Sequence, residues 1–210
     1  MIDVSQLEGV WTVTLNRPQK ANSLTREMLE NLIGIVRQAR DAKAVVITGT
    51  GVVFSAGADL DEARAGLAES PLWEQLSGEI AALRGLTICA LNGTIAGGAF
   101  GIALACDIRI SVPEARFFYP VMKHGFLPQP SDPKRMAALI GPSRTKLVFL
   151  CGQKLTSEQA FSYGLVDQVV SREHLFTTVE SLCADVISAK PEIAFAIKST
   201  CPNGEKESST

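Results

Sequence analysis

Two stretches of the chain place glycine just after apolar runs: FSAGADL (54–60) and NGTIAGGAFGIALACD (92–107). The second carries no acidic or basic residue before Asp107. What such stretches can offer to chemistry is backbone. Glycine lets another group approach the main chain closely, and the amides that open a helix have no intrahelical partner. A loop-to-helix junction of this kind suits an anion, or an oxygen that becomes anionic during a reaction. Ordinary turns and tight helix packing use the same glycines. The spacing matches neither G-x-x-x-x-G-K-[ST] nor a G-x-G-x-x-G that follows a strand.

Other chemistries find less support. The five cysteines (Cys89, Cys106, Cys151, Cys183, Cys201) are odd in number and never fall at C-x-x-C spacing. Four lie in apolar sequence, which reads as buried free thiols. The two histidines, His124 and His174, are far apart, so no metal site is expected. With 46% hydrophobic and 20% charged residues the chain can build a substantial core. Its net charge of −2 favours neither nucleic acid nor an anionic membrane as partner. The N-terminus has no basic and apolar leader pattern, and no apolar run approaches the roughly 18 residues of a membrane span. The expectation is a cytoplasmic protein.

The elements that must position the glycine stretches follow from hydrophobic periodicity. WTVTLN (11–16) alternates as a half-buried strand. Thr25 is an N-cap candidate for a helix whose apolar face is Met28, Leu29, Leu32, Ile33 and Val36. AVVITGTG (44–51), TICALNG (87–93), DIRIS (107–111) and GLVDQVV (164–170) read as strands. Residues 72–84, 98–105, 134–151, 156–163 and 172–188 read as helices, the 156–163 helix opening on a TSEQ capping box and the last clear one being 172–188. The prolines between 113 and 133 mark a loop-rich region. The alternation predicts an α/β chain of one core, residues 1–170, followed by a partial helical region, 171–210, with a polar tail, CPNGEKESST.

Taken together, LNRPQKANSLT (15–25), VVITGTGVVFSAGADL (45–60), LNGTIAGGAFGIALACDIRIS (91–111) and LTSEQAFSYGLVDQVV (155–170) resemble the enoyl-CoA hydratase/isomerase (crotonase) superfamily in order and spacing. The resemblance spans about residues 2–190. It implies a spiral of ββα units with a helical C-terminal region, shortened in this sequence. It implies binding of an acyl-CoA thioester, with coenzyme A as the substrate's carrier and no permanently bound cofactor. The thioester carbonyl would sit between the backbone N–H groups of Ala58 and Gly98, an oxyanion hole for an enolate. Coenzyme A would contact Lys20, Ala21, Ala56, Asp59 and Leu60. The resemblance further implies a homotrimer or a dimer of trimers.

The acids that such enzymes use are missing. Family hydratases carry glutamates at the positions held here by Gly101 and Val121, and relatives with other chemistry use a carboxylate where Gln129 stands. None of the three can exchange a proton, and general acid–base catalysis requires a group that does. Classical two-glutamate hydration is therefore disfavoured, and Gly101→Glu with Val121→Glu would restore it if the cradle is intact. Replacement candidates are His124, which titrates near neutrality, its neighbour Lys123, Tyr119, and Asp132 in QPSDPK. Their plainer readings are a loop histidine, a solvated lysine, a packed aromatic and a helix cap. Asp59 and Asp61 read as helix-start residues, Asp107 as structural. Three functions remain open: enolate chemistry on an acyl-CoA (isomerase, decarboxylase or lyase), a non-catalytic acyl-CoA binder, and an interaction protein that binds no coenzyme A.

Overall fold

The structure, a computed structural model, describes residues 1–201, so most of the polar tail lies outside the described residues. Two sheets organise it. The larger has six strands: β1 (Ile2–Leu7), β2 (Val10–Leu15), β3 (Ala44–Gly49), β5 (Leu86–Leu91), β7 (Ile108–Ser111) and β10 (Gln168–Val169), in the order β1-β2-β3-β5-β7-β10. The smaller has four short strands: β4 (Val53–Ser55), β6 (Thr94–Ala96), β8 (Arg116–Phe118) and β9 (Leu155–Thr156), in the order β4-β6-β8-β9. Each long strand from β3 to β7 turns into a short strand of the second sheet before the chain returns, which is the ββα spiral the resemblance implied. Pairing is parallel throughout except at β1–β2 and β8–β9.

All six residues of β3 are buried, as expected of a strand covered on both faces. Helix α1 (Arg26–Gln38) starts at Thr25, whose hydroxyl accepts from the Met28 amide, and buries the five apolar residues named above. Helices α2 (Leu60–Arg64), α3 (Leu72–Ala81) and α4 (Phe100–Ala105) follow, and α4 is buried along its whole length. After α5 (Val121–His124) come α6 (Asp132–Ile140) and α7 (Pro142–Phe149), then α8 (Ser157–Tyr163), α9 (Leu175–Ser188) and α10 (Pro191–Thr200). The capping box at Thr156 and Gln159 is fully formed. Leu175, Val179 and Cys183 give α9 a buried stripe.

Several expectations are corrected. The single helix read over 134–151 is two, because Gly141 at φ +80° and Pro142 break it. The proline-rich region is loop-rich as read, with the short β8 and α5 set into it. β1 and α10 were not foreseen, and 172–188 is not the last helix. Of the cysteines, Cys89, Cys106 and Cys183 are buried, whereas Cys151 and Cys201 are exposed. Among the described residues no helix is long and apolar enough to cross a membrane.

Candidate active site

The loop before α1 is laced to the loop before α2. Asn22, fully buried at φ +51°, accepts from the Arg17 amide at 2.9 Å and donates to the Thr50 and Val53 carbonyls. The Ser55 hydroxyl donates to the Asn22 carbonyl, and the Ala56 amide to the Ala21 carbonyl. Arg17 then closes the junction with a 2.7 Å ion pair to Asp59. That hydrogen bond holds the Asp59 carboxyl below the ordinary aspartate range. Asp59 also caps α2 by accepting from the Asp61 amide, so its expected helix-start role is what the structure shows. Asp61 pairs with Arg64 on the exposed face of the same helix.

The parallel bridge between Leu24 and Ala58 uses the Leu24 N–H to the Gly57 carbonyl and the Asp59 N–H to the Leu24 carbonyl. The Ala58 N–H takes no part in it. Gly57, at φ +90°, lies directly on the second glycine stretch: a Cβ there would fall 2.8 Å from the Ala96 carbonyl oxygen. Only glycine permits both that conformation and that approach. The Gly98 amide belongs to the opening turn of the 3-10 segment Gly97–Ala99, where no intrahelical acceptor exists. The two glycine stretches thus meet through their main chains and carry Ala58 and Gly98 onto one wall.

That wall bounds a cavity of about 620 Å³ with a largely apolar lining. Ala58, Gly98, Ala21, Ala56, Leu60 and His124 all line it. Lys20 and Asp59 do not, although each adjoins a residue that does: Lys20 ends an exposed 3-10 turn immediately before Ala21. Asp132 is not on the wall either; it lies behind Tyr119, which is. Val121 and Gln129 face the cavity with an alkyl group and an amide, whereas Gly101 does not face it. Lys123 is exposed on α5 and outside the lining.

Two residues acquire meanings that sequence reading missed. Trp73, 3% exposed, lies against Gly98: a Cβ on Gly98 would fall 3.0 Å from the indole, which is anchored through its Nε1–H to the Leu67 carbonyl at 2.8 Å. Trp73 packing against Gly98 is itself a reason for glycine there. The available signal was a tryptophan on a helix that had to cover the glycine-rich turn.

Asp132 is the second. It begins α6 but is not a helix cap; its side chain is fully buried and its Oδ2 accepts from the Tyr119 hydroxyl at 2.9 Å. Burial raises its carboxyl to about 7, against the lowering effect of the Tyr119 bond and of Arg135, while Glu74 raises it further. Tyr119 is also a packed aromatic, stacked on Phe100 at 5.6 Å and tilted against Phe149 at 4.9 Å. Burial and the Asp132 carboxylate push its ionisation far above the ordinary range. Asp107 is structural, accepting from the Thr87 amide and hydroxyl and pairing with Lys198 at 2.7 Å.

Comparison with known proteins adds ancestry to this geometry. The family model for enoyl-CoA hydratase/isomerase matches residues 5–207. A Mycobacterium bovis protein named probable enoyl-CoA hydratase echA6 is 32% identical over 171 residues, covering 80% of this chain and 70% of that protein. The 1,2-epoxyphenylacetyl-CoA isomerase of Escherichia coli is 33% identical over 187 residues, covering 83% of this chain and 71% of the isomerase. The solved structure of Pseudomonas aeruginosa DspI superposes with a TM-score of 0.87 at 31% identity, covering 95% of this chain and 85% of that one. With strand order, glycine junction and sequence in agreement, the chain belongs to the enoyl-CoA hydratase/isomerase family.

Proposed function

We propose that the protein processes an acyl-CoA thioester by stabilising its enolate between the Ala58 and Gly98 amides. The observation that supports this is the contact of the two glycine stretches beside one largely apolar cavity that Ala58 and Gly98 both line. Preorganised N–H donors aimed at a developing oxyanion contribute roughly 2.7–4 kcal/mol each in comparable sites. Ala21, Ala56 and Leu60 would hold the carrier at the mouth with backbone and alkyl contacts, and Lys20 beside them offers a cation to its phosphates. Asp59 braces this cradle with its carboxylate, which Arg17 and the Asp61 amide occupy. His124 is exposed and belongs to the lining. With Val121 and Gln129 on the wall, two-carboxylate hydration is disfavoured; among isomerase, decarboxylase and lyase chemistry, decarboxylation needs the least acid–base help, because the departing CO₂ leaves the enolate.

The test is a panel of 3-enoyl-, malonyl-type and saturated acyl-CoA thioesters in D₂O, read by mass spectrometry beside direct binding. Turnover or α-deuterium names the reaction. Binding with no turnover across the panel selects the second reading, an acyl-CoA-binding protein, which Val121 and Gln129 favour. Absence of binding defeats both. A trimer or a dimer of trimers is the assembly we expect.

A further inference from the structure

Asp132 carries the one buried side-chain oxygen or nitrogen among the described residues that lacks a hydrogen-bond partner, its Oδ1. An unsatisfied buried carboxylate oxygen is costly and calls for an explanation. Packing does not supply it. The neighbouring polar groups are occupied elsewhere: Arg135 donates to the Ser77 hydroxyl at 2.9 Å, and Glu74 accepts from the Ser131 amide and hydroxyl. On the α4 side Gly101 lies against the carboxylate: a Cβ there would stand 3.3 Å from Oδ1. The titratable and charged groups around it are therefore Tyr119 from the segment after β8, Glu74 from α3 and Arg135 from its own helix, with none from α4. Its Oδ2 is committed to Tyr119, and Tyr119 lines the cavity.

We infer that Tyr119 and Asp132 form a proton relay for the cavity, Tyr119 exchanging a proton with the bound acyl chain and Asp132 acting through it as the buried proton store. The inference rests on the thioester reading above. In the forward step the substrate Cα–H bond breaks and its electron pair enters the enolate, whose oxygen the Ala58 and Gly98 amides hold. That proton bonds to the Tyr119 oxygen while the Tyr119 proton passes to Asp132 Oδ2. No free phenolate forms, which suits a phenol whose ionisation burial suppresses. In the reverse sense Asp132 returns its proton to Tyr119, and Tyr119 protonates the γ-carbon of a dienolate. The double bond has then moved, Asp132 is a carboxylate again, and no co-reactant is consumed. The base is ionised Asp132, so turnover should rise with pH through the value near 7 at which that carboxyl titrates. Tyr119 is the catalytic residue in this scheme and Asp132 the positioning and storage residue.

The experiment measures double-bond migration in a 3-enoyl-CoA, with α-deuterium incorporation as a second channel, from pH 5 to 9, alongside binding of the same thioester. Asp132→Asn and Tyr119→Phe should bind within about threefold of the parent, lose at least tenfold in turnover, and in Asp132→Asn lose the rise with pH. Should either variant fail to fold, 3-fluorotyrosine placed at Tyr119 in a Tyr163→Phe background decides, since Tyr163 is the other of the two tyrosines. A relay predicts at least a threefold change in rate, a packing role none. A parent that binds thioester but moves no proton overturns the relay and leaves the cradle standing, as do variants with the parent's rate and pH profile. A parent that binds no thioester overturns both.

Discussion

At the scale of single residues, Asp132 makes a stability prediction independent of catalysis. Its folded value near 7 exceeds the 3.8 of a free aspartate, so between those values the folded protein holds a proton that the unfolded chain has lost. The group's contribution is fully present below about 4 and declines as pH rises through 7. Asp132→Asn removes that dependence. Its unfolding free energy relative to the parent should therefore increase from pH 4 to 8 by something on the order of 1–4 kcal/mol, measured by urea denaturation at each pH. A flat difference would mean the carboxyl titrates normally in the fold. The same residue changes what glutamate restoration can do. Gly101→Glu would press a second carboxyl against buried Asp132. Gly101→Glu with Val121→Glu is expected to be destabilised and without hydratase activity, and to tolerate the change only when Asp132→Ala is added; enoyl-CoA hydration assays and melting curves on both variants check this. Gly98→Ala should displace Trp73 and destabilise by about 1–3 kcal/mol, with weaker thioester binding by calorimetry.

At the scale of elements, the site depends on how two loops and three helices are held. Arg17 joins the loop before α1 to the loop before α2 through Asp59, and it also donates to the Ser23 carbonyl and hydroxyl. Arg17→Ala should cost roughly 1–3 kcal/mol at neutral pH and reduce thioester affinity, since the Ala21 and Ala56 walls lose their brace. Asp59 has a lowered folded value, so the pair stabilises above pH about 4 and its contribution disappears as pH falls through that lowered value. The Arg17→Ala deficit should accordingly shrink in acid, which melting curves at pH 3 and 7 would reveal; an equal deficit at both would assign Arg17 a packing role only. Helices α3, α4 and α6 meet around Asp132, and α4 can approach so closely because position 101 has no side chain.

At the scale of the whole molecule, the two sheets act as one frame. From β2 onward the strands of the larger sheet run parallel and deliver successive turns to the short-strand sheet, so Gly57 meets Ala96 and Gly97 though they lie far apart in sequence. Exposed apolar side chains remain on several helices, among them Leu150 after α7, Phe161 on α8, and Ile193 and Ile197 on α10. Contiguous exposed apolar surface commonly marks an interface, and sedimentation at micromolar concentration is expected to give a trimer or hexamer. A monomer there would remove the proposed assembly and leave the cavity argument untouched.

Sequence by itself determined β2, β3, β5 and β7, α1 and the capping box of α8, because alternating or buried β-branched runs, a 3.6-residue apolar period and a TSEQ signal are local. It also determined that the glycine stretches end strands and that positions 101, 121 and 129 lack acids. It did not show the strands of the second sheet, whose two or three residues are too few to carry a period. The break at Gly141 and Pro142 was legible as a Gly-Pro turn signal, although helix-forming residues on either side read as one helix. Only tertiary structure decided that Gly98 makes room for an indole, that Asp132 is buried against Tyr119 rather than capping a helix, and that Lys20 and Asp59 stand off the cavity wall. Those outcomes arise from contacts between residues distant in the chain, and burial sets the behaviour of a carboxyl far more than its neighbours in sequence do.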